Sequence, residues 1–188
     1  MKSRRSLPLL LLLLFTFCIG IFAIDDVSAA QRKRKGSGNA SLTNMEKLTM
    51  IYIREEEKLA RDVYIKMYEV WGATIFSNIS VSEQRHMDAV LNLLIKYGVP
   101  DPALSNPVGV FTNADLQQLY TDLVSQGTAS LLDAFYVGRA IEIMDIDDLE
   151  GAMEETNKAD LDNVYGNLLN GSYNHLDAFN THIANLTQ

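Results

Sequence analysis

The pair formed by Glu83 and His86 is the sequence feature that most restricts how this chain can fold. Residues three and four apart share one face of an α-helix, so both side chains project from the apolar stripe that continues through Met87, Val90 and Leu94. Polar groups persist on such a stripe only when something pairs with them. A carboxylate beside an imidazole at this spacing is a common metal-binding pair, although a core histidine beside an ordinary acidic neighbour gives the same pattern. The interpretation therefore depends on what the other helices supply.

The N-terminus has the pattern of a secretory signal peptide. A basic start precedes a mostly apolar run over residues 7–23, and small residues follow up to Ala30. We expect a signal peptide over residues 1–30 and an exported protein, whether periplasmic, extracellular or at the cell surface; a retained membrane anchor is the alternative. The single cysteine, Cys18, lies in this run, so we expect no disulfide in the mature protein.

Charge separates a short basic stretch from an acidic remainder. Residues 31–43 are predicted to be a basic flexible linker. From Gly36 onward the chain has nine Lys and Arg against 22 Asp and Glu, a balance of −13. Such a surface repels nucleic acid and anionic lipid, so we expect no nucleic-acid partner and, after signal cleavage, no membrane contact.

Apolar residues recur at helical spacing from Asn44 onward, and no stretch has the alternation of a strand. In the first helix the apolar face is predicted to include Leu48, Tyr52 and Leu59, with Asn44 as the N-cap. The long connection between the second helix and the next contains three prolines, which predicts a crossover. The predicted fold is all-α, a four-helix bundle over residues 44–188 whose crossover contains a short extra helix.

The predicted helix bounds follow from caps and breakers. We expect Gly72 to end the first helix and Gly98 to end the second. The predicted helices are Asn44 to Val70, Ser80 or Ser82 to Tyr97, a short helix from about Thr112 to Ser125, about Ser130 to Met144 with continuation or a restart through Glu154, and about Lys158 to Leu186 with a bend at Asn170-Gly171.

Each long helix places a carboxylate or an imidazole on its apolar face. Buried together without compensation, these groups would be strongly destabilised or would take up protons, whereas a pair of metal cations would satisfy them. By helical angle Glu56 is nearest the middle of the apolar face and Glu57 is closer to its Tyr64 edge, so we expect one of the two to face inward. The predicted inward polar set is Glu56 or Glu57, Glu83 with His86, Glu142 with Asp145, and His175.

These residues resemble the ferritin-like superfamily, especially its rubrerythrin-like branch. Glu57, Ala60 and Tyr64 match the pattern of that superfamily's first helix, and this resemblance favours Glu57 over Glu56 as a ligand. Glu83 with His86 matches its second-helix Glu-x-x-His. The runs EEEKLARDVY, FSNISVSEQRHMDAV, GVFT, IEIMDIDDL and SYNHLDAF, over about residues 45 to 183, resemble more specifically a prokaryotic ferritin-like domain of unknown function.

One residue departs from the superfamily pattern. Its fourth helix usually repeats Glu-x-x-His, but here Ser172 stands three residues before His175. A hydroxyl is a poor substitute for a bridging carboxylate, so either Asp145 supplies the missing oxygen or the second metal is weak or absent. Ser172 is thus expected beside the ligands rather than among them.

The resemblance implies a di-iron site that reacts with dioxygen or hydrogen peroxide, with another divalent transition metal as the alternative. It implies Glu83 as the bridge between the ions. Tyr64 is a candidate neighbour that hydrogen-bonds to the site or donates electrons, and the favoured alternative is a core aromatic whose hydroxyl only reaches the polar centre. The implied metal ligands are Glu57, Glu83, His86, Glu142, Asp145 and His175.

Three functions are compatible with these residues. They are a redox enzyme of the oxidase or peroxidase type, a protein that sequesters metal without turnover, and a helical interaction module with a vestigial site. The expected partners are metal ions and an external electron donor, because no rubredoxin-like cysteine motif is present; a homodimer also remains open.

Overall fold

The computed structural model describes residues 41–188, which lie within one compact unit. This part of the chain contains five helices and no strand, so the all-α prediction is confirmed for it. The predicted signal peptide lies outside the described residues, as does all but the end of the basic linker. None of the described helices has both the length and the apolar content to cross a bilayer. The helices are α1 (Asn44–Trp71), α2 (Thr74–Tyr97), α3 (Ala114–Gly127), α4 (Leu131–Glu155) and α5 (Ala159–Thr187).

The four long helices contact one another in a closed cycle. Helix α1 packs against α2, α2 against α5, α5 against α4, and α4 against α1. The shorter α3 packs against α1 and α4 from outside this cycle. Each long helix therefore turns one face towards a common interior, as its apolar periodicity requires.

Several predicted helix ends agree with the structure. Gly72 and Gly98 follow α1 and α2 in the left-handed region, each with φ of 64°, a conformation that glycine adopts without steric penalty. The N-cap of α1 is Thr43 rather than the predicted Asn44, because Thr43 forms a capping box with Glu46. Helices α4 and α5 run without interruption, so the stretch after Met144 continues α4 rather than restarting it.

The predicted start of α2 was wrong by about two turns. The helix begins at Thr74, whereas Ser80 and Ser82 were predicted as its start. The Ser80 hydroxyl donates to the Ser77 carbonyl at 2.9 Å, so this serine bonds back to its own helix instead of capping a new one. The earlier turns are held by burial of Ile75 and Phe76 in the core.

The core consists of two apolar clusters, and on every long helix a polar pair or single residue lies between them. On α1, Met50 and Ile53 belong to one cluster and Leu59 and Val63 to the other, with Glu57 between. Leu48, predicted on the buried face, is instead 60% exposed. The polar residues that separate the two clusters on the other helices are Glu83 and His86, Glu142 and Asp145, and Ser172 and His175.

The crossover between α2 and α3 is held by charged side chains on the outer face of α1. Arg54 donates to both carboxylate oxygens of Asp101, at 3.0 and 2.9 Å. Glu55 accepts from the backbone N–H groups of Thr112 and Asn113. Further along, Lys58 donates to the Pro107 carbonyl at 2.8 Å. The charged run of α1 thus serves two faces, one for the interior and one for the crossover.

Candidate metal centre

Glu83 lies at the centre of a buried group of carboxylates and imidazoles. One of its oxygens, Oε2, is 2.8 Å from Nδ1 of His86, and the other, Oε1, is 2.8 Å from Nδ1 of His175. His86 Nδ1 also lies 3.1 Å from Oε2 of Glu57, and His175 Nδ1 lies 3.4 Å from Oε2 of Glu142. Four helices, α1, α2, α4 and α5, therefore each contribute a side chain to one cluster.

Two sets of three side chains within the cluster have donor atoms that all lie within 4.8 Å of one another. The first set is Glu57, Glu83 and His86, and the second is Glu83, Glu142 and His175. Glu83 belongs to both sets and comes from the Glu-x-x-His pair of α2. The geometry is therefore that of two neighbouring metal-sized sites that share one carboxylate.

Several donor atoms in this cluster are close to partners without making hydrogen bonds. Both oxygens of Glu83, Oε1 of Glu57 and Nδ1 of His175 are buried and make no hydrogen bond of acceptable geometry. The imidazole and carboxylate contacts are thus short in distance, but only the His86 contact with Glu57 meets hydrogen-bond angles. Buried polar atoms left in this state are unusual in a folded protein and point to a bound ion.

Tyr64, Asp145 and Ser172 border the two sets. The Tyr64 hydroxyl donates to Oε1 of Glu142 at 2.5 Å. The Ser172 hydroxyl donates to Oδ2 of Asp145, which leaves Oδ1 of Asp145 without a partner. Asp145 is only 4% exposed but belongs to neither set. Tyr64 and Ser172 each hold one carboxylate in place.

Close approach of α5 confines the His86 ring. A Cβ atom built on Gly171 would lie 2.5 Å from Nε2 of His86. Any larger residue there would force the imidazole to move, so glycine is required by this contact and not by a turn. The rings of His86 and His175 lie nearly parallel, with centroids 5.6 Å apart.

A protein-family model matches the part of the chain that contains the whole cluster. A family model described as "Uncharacterized protein domain (DUF2202)" matches residues 46–187. The chain belongs to the DUF2202 family. It is 49% identical, over 138 residues, to the "Uncharacterized protein MJ0754" of Methanocaldococcus jannaschii, an alignment that covers 73% of this chain and 75% of that protein.

A solved relative has the same helical fold. The crystal structure of the hypothetical protein MJ0754 from Methanococcus jannaschii matches this DUF2202 chain with a TM-score of 0.78 at 45% sequence identity. The match covers 81% of this chain and 87% of the other. The arrangement of the helices that carry the cluster is thus shared with a crystallographically determined protein.

Burial and mutual charge shift the titration of every carboxyl group at the centre of the DUF2202 domain. Burial and then the Glu83 charge raise the pKa of Glu142 to about 8. Burial and Glu83 likewise raise the pKa of Asp145 to about 7. Burial alone would raise the pKa of Glu83 too, but the close contacts and positive charge of His175 and His86 lower it to about 2. Glu83 is therefore the carboxyl group that stays ionised.

The pKa values of the two imidazoles are raised, although burial alone would lower them. Burial lowers the pKa of His86, but Glu57 and Glu83 outweigh it and raise the pKa to about 11. For His175 burial is outweighed by Glu142 and Glu83, and the pKa rises to about 9. Protons on both imidazoles thus balance the carboxylate charge, and a metal ion binding to the same atoms would displace them.

The donor set fits a pair of transition-metal ions. Carboxylate oxygen and imidazole nitrogen are suitable ligands for iron, manganese and zinc. The two buried basic side chains of α1 do not compensate the cluster, because Arg54 pairs with Asp101 and Lys58 with Asp62. Metal cations are thus the compensating charge that the residues around Glu83 could accommodate.

The structure brings together most of the residues that the sequence singled out. Glu57, Glu83, His86, Glu142 and His175 form the two sets, with Asp145, Ser172 and Tyr64 against them.

Glu56 was not expected to be buried along with Glu57. It is 0% exposed, and neither of its oxygens accepts a hydrogen bond, whereas periodicity had suggested that only one of the two glutamates points inward. Helical angle does place Glu56 nearest the middle of the apolar face, but its carboxylate lies near Asp148 of α4 and belongs to neither donor set.

Proposed function

We propose that this chain is a ferritin-like four-helix bundle protein that holds two transition-metal ions, iron being the best match, around Glu83. The observation that carries the proposal is the sharing of Glu83 between two sets of buried donors, one ending in His86 and the other in His175. Glu57 would complete the first set and Glu142 the second. Asp145, whose Oδ1 is buried without a hydrogen-bond partner at the border of the two sets, would be an additional ligand.

An iron pair bound there would supply the one-electron steps that reduce dioxygen or hydrogen peroxide. The chain's own residues would hold the ligands in place for it. Tyr64 fixes Glu142 through its hydroxyl, and Ser172 fixes Asp145. Electrons would come from an external donor, since this chain has one cysteine and cannot form a four-cysteine iron site of its own.

Metal sequestration without turnover is the second candidate function, and Ser172 favours it. A serine occupies the place where the resembled superfamily has a carboxylate, and its hydroxyl bonds to Asp145. With one carboxylate fewer at the centre, one of the two ions would bind more weakly, and the pair would be less reactive. Repeated consumption of peroxide by the loaded protein, in the presence of a reductant, distinguishes the enzyme from the sequestering protein.

We also propose that residues 1–30 direct export, so that the protein acts outside the cytoplasm. The basic start, the apolar run and the small residues before Ala30 support this. N-terminal sequencing of the protein from its native cells tests it. A mature N-terminus near Gln31 is expected, and a retained Met1 would argue for an anchor.

The decisive test of the metal proposal is metal content. Purified protein is loaded with ferrous iron under nitrogen, desalted and analysed by inductively coupled plasma mass spectrometry. We expect about two irons per chain, and near-ultraviolet ferric absorption when air is admitted. The double variant Glu83→Ala/His86→Ala should bind none.

The matched control is Glu69→Ala. Glu69 is also a glutamate on a long helix, but it is exposed and pairs only with Lys66. It should retain the full iron content. Iron in the wild type at no more than the level of the double variant would refute the proposed function.

A further inference from the structure

Glu56 is a fully buried glutamate that neither donor set uses. It is 0% exposed, and no donor bonds to either of its oxygens. Consecutive helical residues point about 100° apart, so Glu57 faces the shared centre while Glu56 faces α4. A carboxyl group with no partner at this depth is strongly destabilising unless a cation or a proton reaches it.

The charged groups that act most strongly on Glu56 are all carboxylates. Asp148 and Asp145 of α4 and Glu57 of its own helix all lie near its carboxylate. Asp148 is half-buried on α4, while Asp145 belongs to the border of the metal centre. Glu56 therefore lies between a carboxylate that solvent reaches and carboxylates that belong to the centre.

This acidic line continues outward to the protein surface. The Tyr52 side chain lies near Glu56, Asp148 and Asp115. Asp115 is exposed in the first turn of α3. The three carboxylates near Tyr52 thus differ in burial: Asp115 is exposed, Asp148 is half-buried and Glu56 is fully buried.

Basic side chains of α1 that could neutralise this line point elsewhere. Arg54 is two residues before Glu56, but it makes its ion pair with Asp101 on the crossover. Lys58 is two residues after Glu56, and its ammonium group pairs with Asp62 and the Pro107 carbonyl. The side of α1 that faces Asp148 is therefore left acidic.

Tyr52, which lies beside these carboxylates, also lines a surface cleft. The cleft holds about 380 Å³ and lies between α1, the crossover and the start of α3. That volume admits a hydrated cation, since a water molecule occupies about 30 Å³ in the liquid. The residues that line it are Leu48, Ile51, Tyr52, Glu55, Pro102, Thr112, Asn113 and Ala114.

We propose that Asp148 and Glu56 form a carboxylate passage through which divalent cations move from the cleft at Tyr52 to the metal centre. The passage rests on the proposed function, since it needs a metal centre to serve. Oxygen ligands suit hard, hydrated divalent cations and exchange them readily, whereas the imidazole-containing sets at the centre hold transition metals more firmly. Glu56 and Asp148 thus govern how fast the centre fills, and not how many ions it holds.

Loading kinetics test this passage. Cobalt(II) is mixed under nitrogen with the full chain in a stopped-flow instrument, and visible absorption reports ions bound at the imidazole-containing sets. We expect Glu56→Gln and Asp148→Asn each to slow loading about tenfold, because a local acidic path raises the rate of cation capture. The final absorbance should equal that of the wild type. The double variant should be no slower than the slower single variant, since both residues lie on one path.

Asp147→Asn is the matched control. Asp147 is exposed and next to Asp148 on α4, and the change removes the same charge. It should load at the wild-type rate, and equal slowing would show that long-range attraction, and not a passage, sets the rate. Should Glu56→Gln fail to fold, Asp148→Asn at its half-buried position carries the test alone.

Three other outcomes would also overturn the passage. Unchanged rates in Glu56→Gln and Asp148→Asn would place cation access elsewhere, for example near the slightly exposed imidazoles. A lower final absorbance in either variant would make that residue a ligand instead. A wild type that binds no cobalt would refute the metal centre itself and the passage with it, a result distinct from slow or normal loading.

Discussion

Glu83 and His175 face each other across the interior, with Oε1 of the carboxylate 2.8 Å from Nδ1 of the imidazole. The other oxygen of Glu83 is equally close to Nδ1 of His86. One carboxylate from α2 therefore joins an imidazole on its own helix to one on α5. This arrangement makes Glu83 the residue on which the whole centre depends, and it gives Glu83 and His175 different expected effects when each is changed.

Replacing Glu83 should remove both metal ions, whereas replacing His175 should remove one. Glu83→Gln keeps the shape but loses the charge that both sets share, so we expect almost no bound iron. His175→Ala leaves Glu57, Glu83 and His86 intact and should retain about one iron per chain. Native mass spectrometry of the loaded variants counts the ions directly. Equal iron content in the two variants would contradict a shared Glu83.

Gly171→Ala should disturb the centre through His86. The added Cβ would lie 2.5 Å from Nε2 of this imidazole, so either the ring or α5 must shift. We expect a loss of about 1 to 3 kcal/mol in unfolding free energy, typical of overpacking, together with weaker binding of the ion that His86 would hold. Urea denaturation and iron content measure the two effects.

The matched control for Gly171 is on the same helix. A Cβ on Gly166 would meet only Met153 Cε, at an ordinary contact distance of 3.5 Å. Gly166→Ala should therefore stabilise α5 by about 0.5 to 1 kcal/mol and leave the iron content unchanged. Loss of iron in both variants would show that the effect belongs to α5 as a whole and not to the His86 contact.

The stability of the metal-free protein should fall as the pH rises above about 5. Burial and Glu83 raise the pKa of Glu142 to about 8 and that of Asp145 to about 7. The pKa of His175 is likewise raised, to about 9. Groups whose pKa is higher in the folded state stabilise it below their unfolded pKa and lose that contribution as the pH rises through the folded pKa.

Glu83 acts in the opposite direction at acidic pH. Its pKa is lowered to about 2, so the stability it contributes is lost as the pH falls from its normal value towards that figure. Chelator-treated protein should thus unfold at a lower temperature at about pH 8.5 than at about pH 5.5, in thermal melts followed by circular dichroism. Metal-loaded protein should show the reverse, because ions displace the protons. A flat profile in the metal-free protein would contradict the assigned shifts.

Much of the candidate centre could be predicted because each buried donor residue interrupts a regular apolar stripe. Glu83, Glu142 and His175 occupy positions where helical spacing places a core residue. Their position around the helix, relative to the apolar stripe, is therefore enough to identify them. The start of α2 could not be identified in the same way. Ser80 looks like a cap in sequence, but its hydroxyl bonds to Ser77 inside the helix.

The charged outer face of α1 was not predictable from local pattern. Arg54, Glu55, Lys58 and Asp62 are all buried, yet their partners lie on the crossover, far away along the chain. Periodicity reports which residues share a face and does not report what covers that face. These charges are buried because the crossover packs over them. Since Arg54 and Lys58 pair on that side, the side of α1 at Glu56 is left acidic.

The ion pair between Arg54 and Asp101 gives a prediction about the crossover alone. Both side chains are 6% exposed, and Arg54 donates to the two carboxylate oxygens at 3.0 and 2.9 Å. Asp101→Asn leaves the guanidinium buried without its counter-charge, which should destabilise the fold by about 3 kcal/mol in urea denaturation. Adding Arg54→Met to Asp101→Asn should recover part of that loss, because no unpaired charge then remains.

Lys66→Gln, which breaks the exposed pair with Glu69, is the matched control and should change stability by less than about 1 kcal/mol. All three variants should keep their iron content, since none of the proposed ligands lies on the crossover. Equal, small losses of unfolding free energy in every variant would show that the buried pair does not secure the crossover.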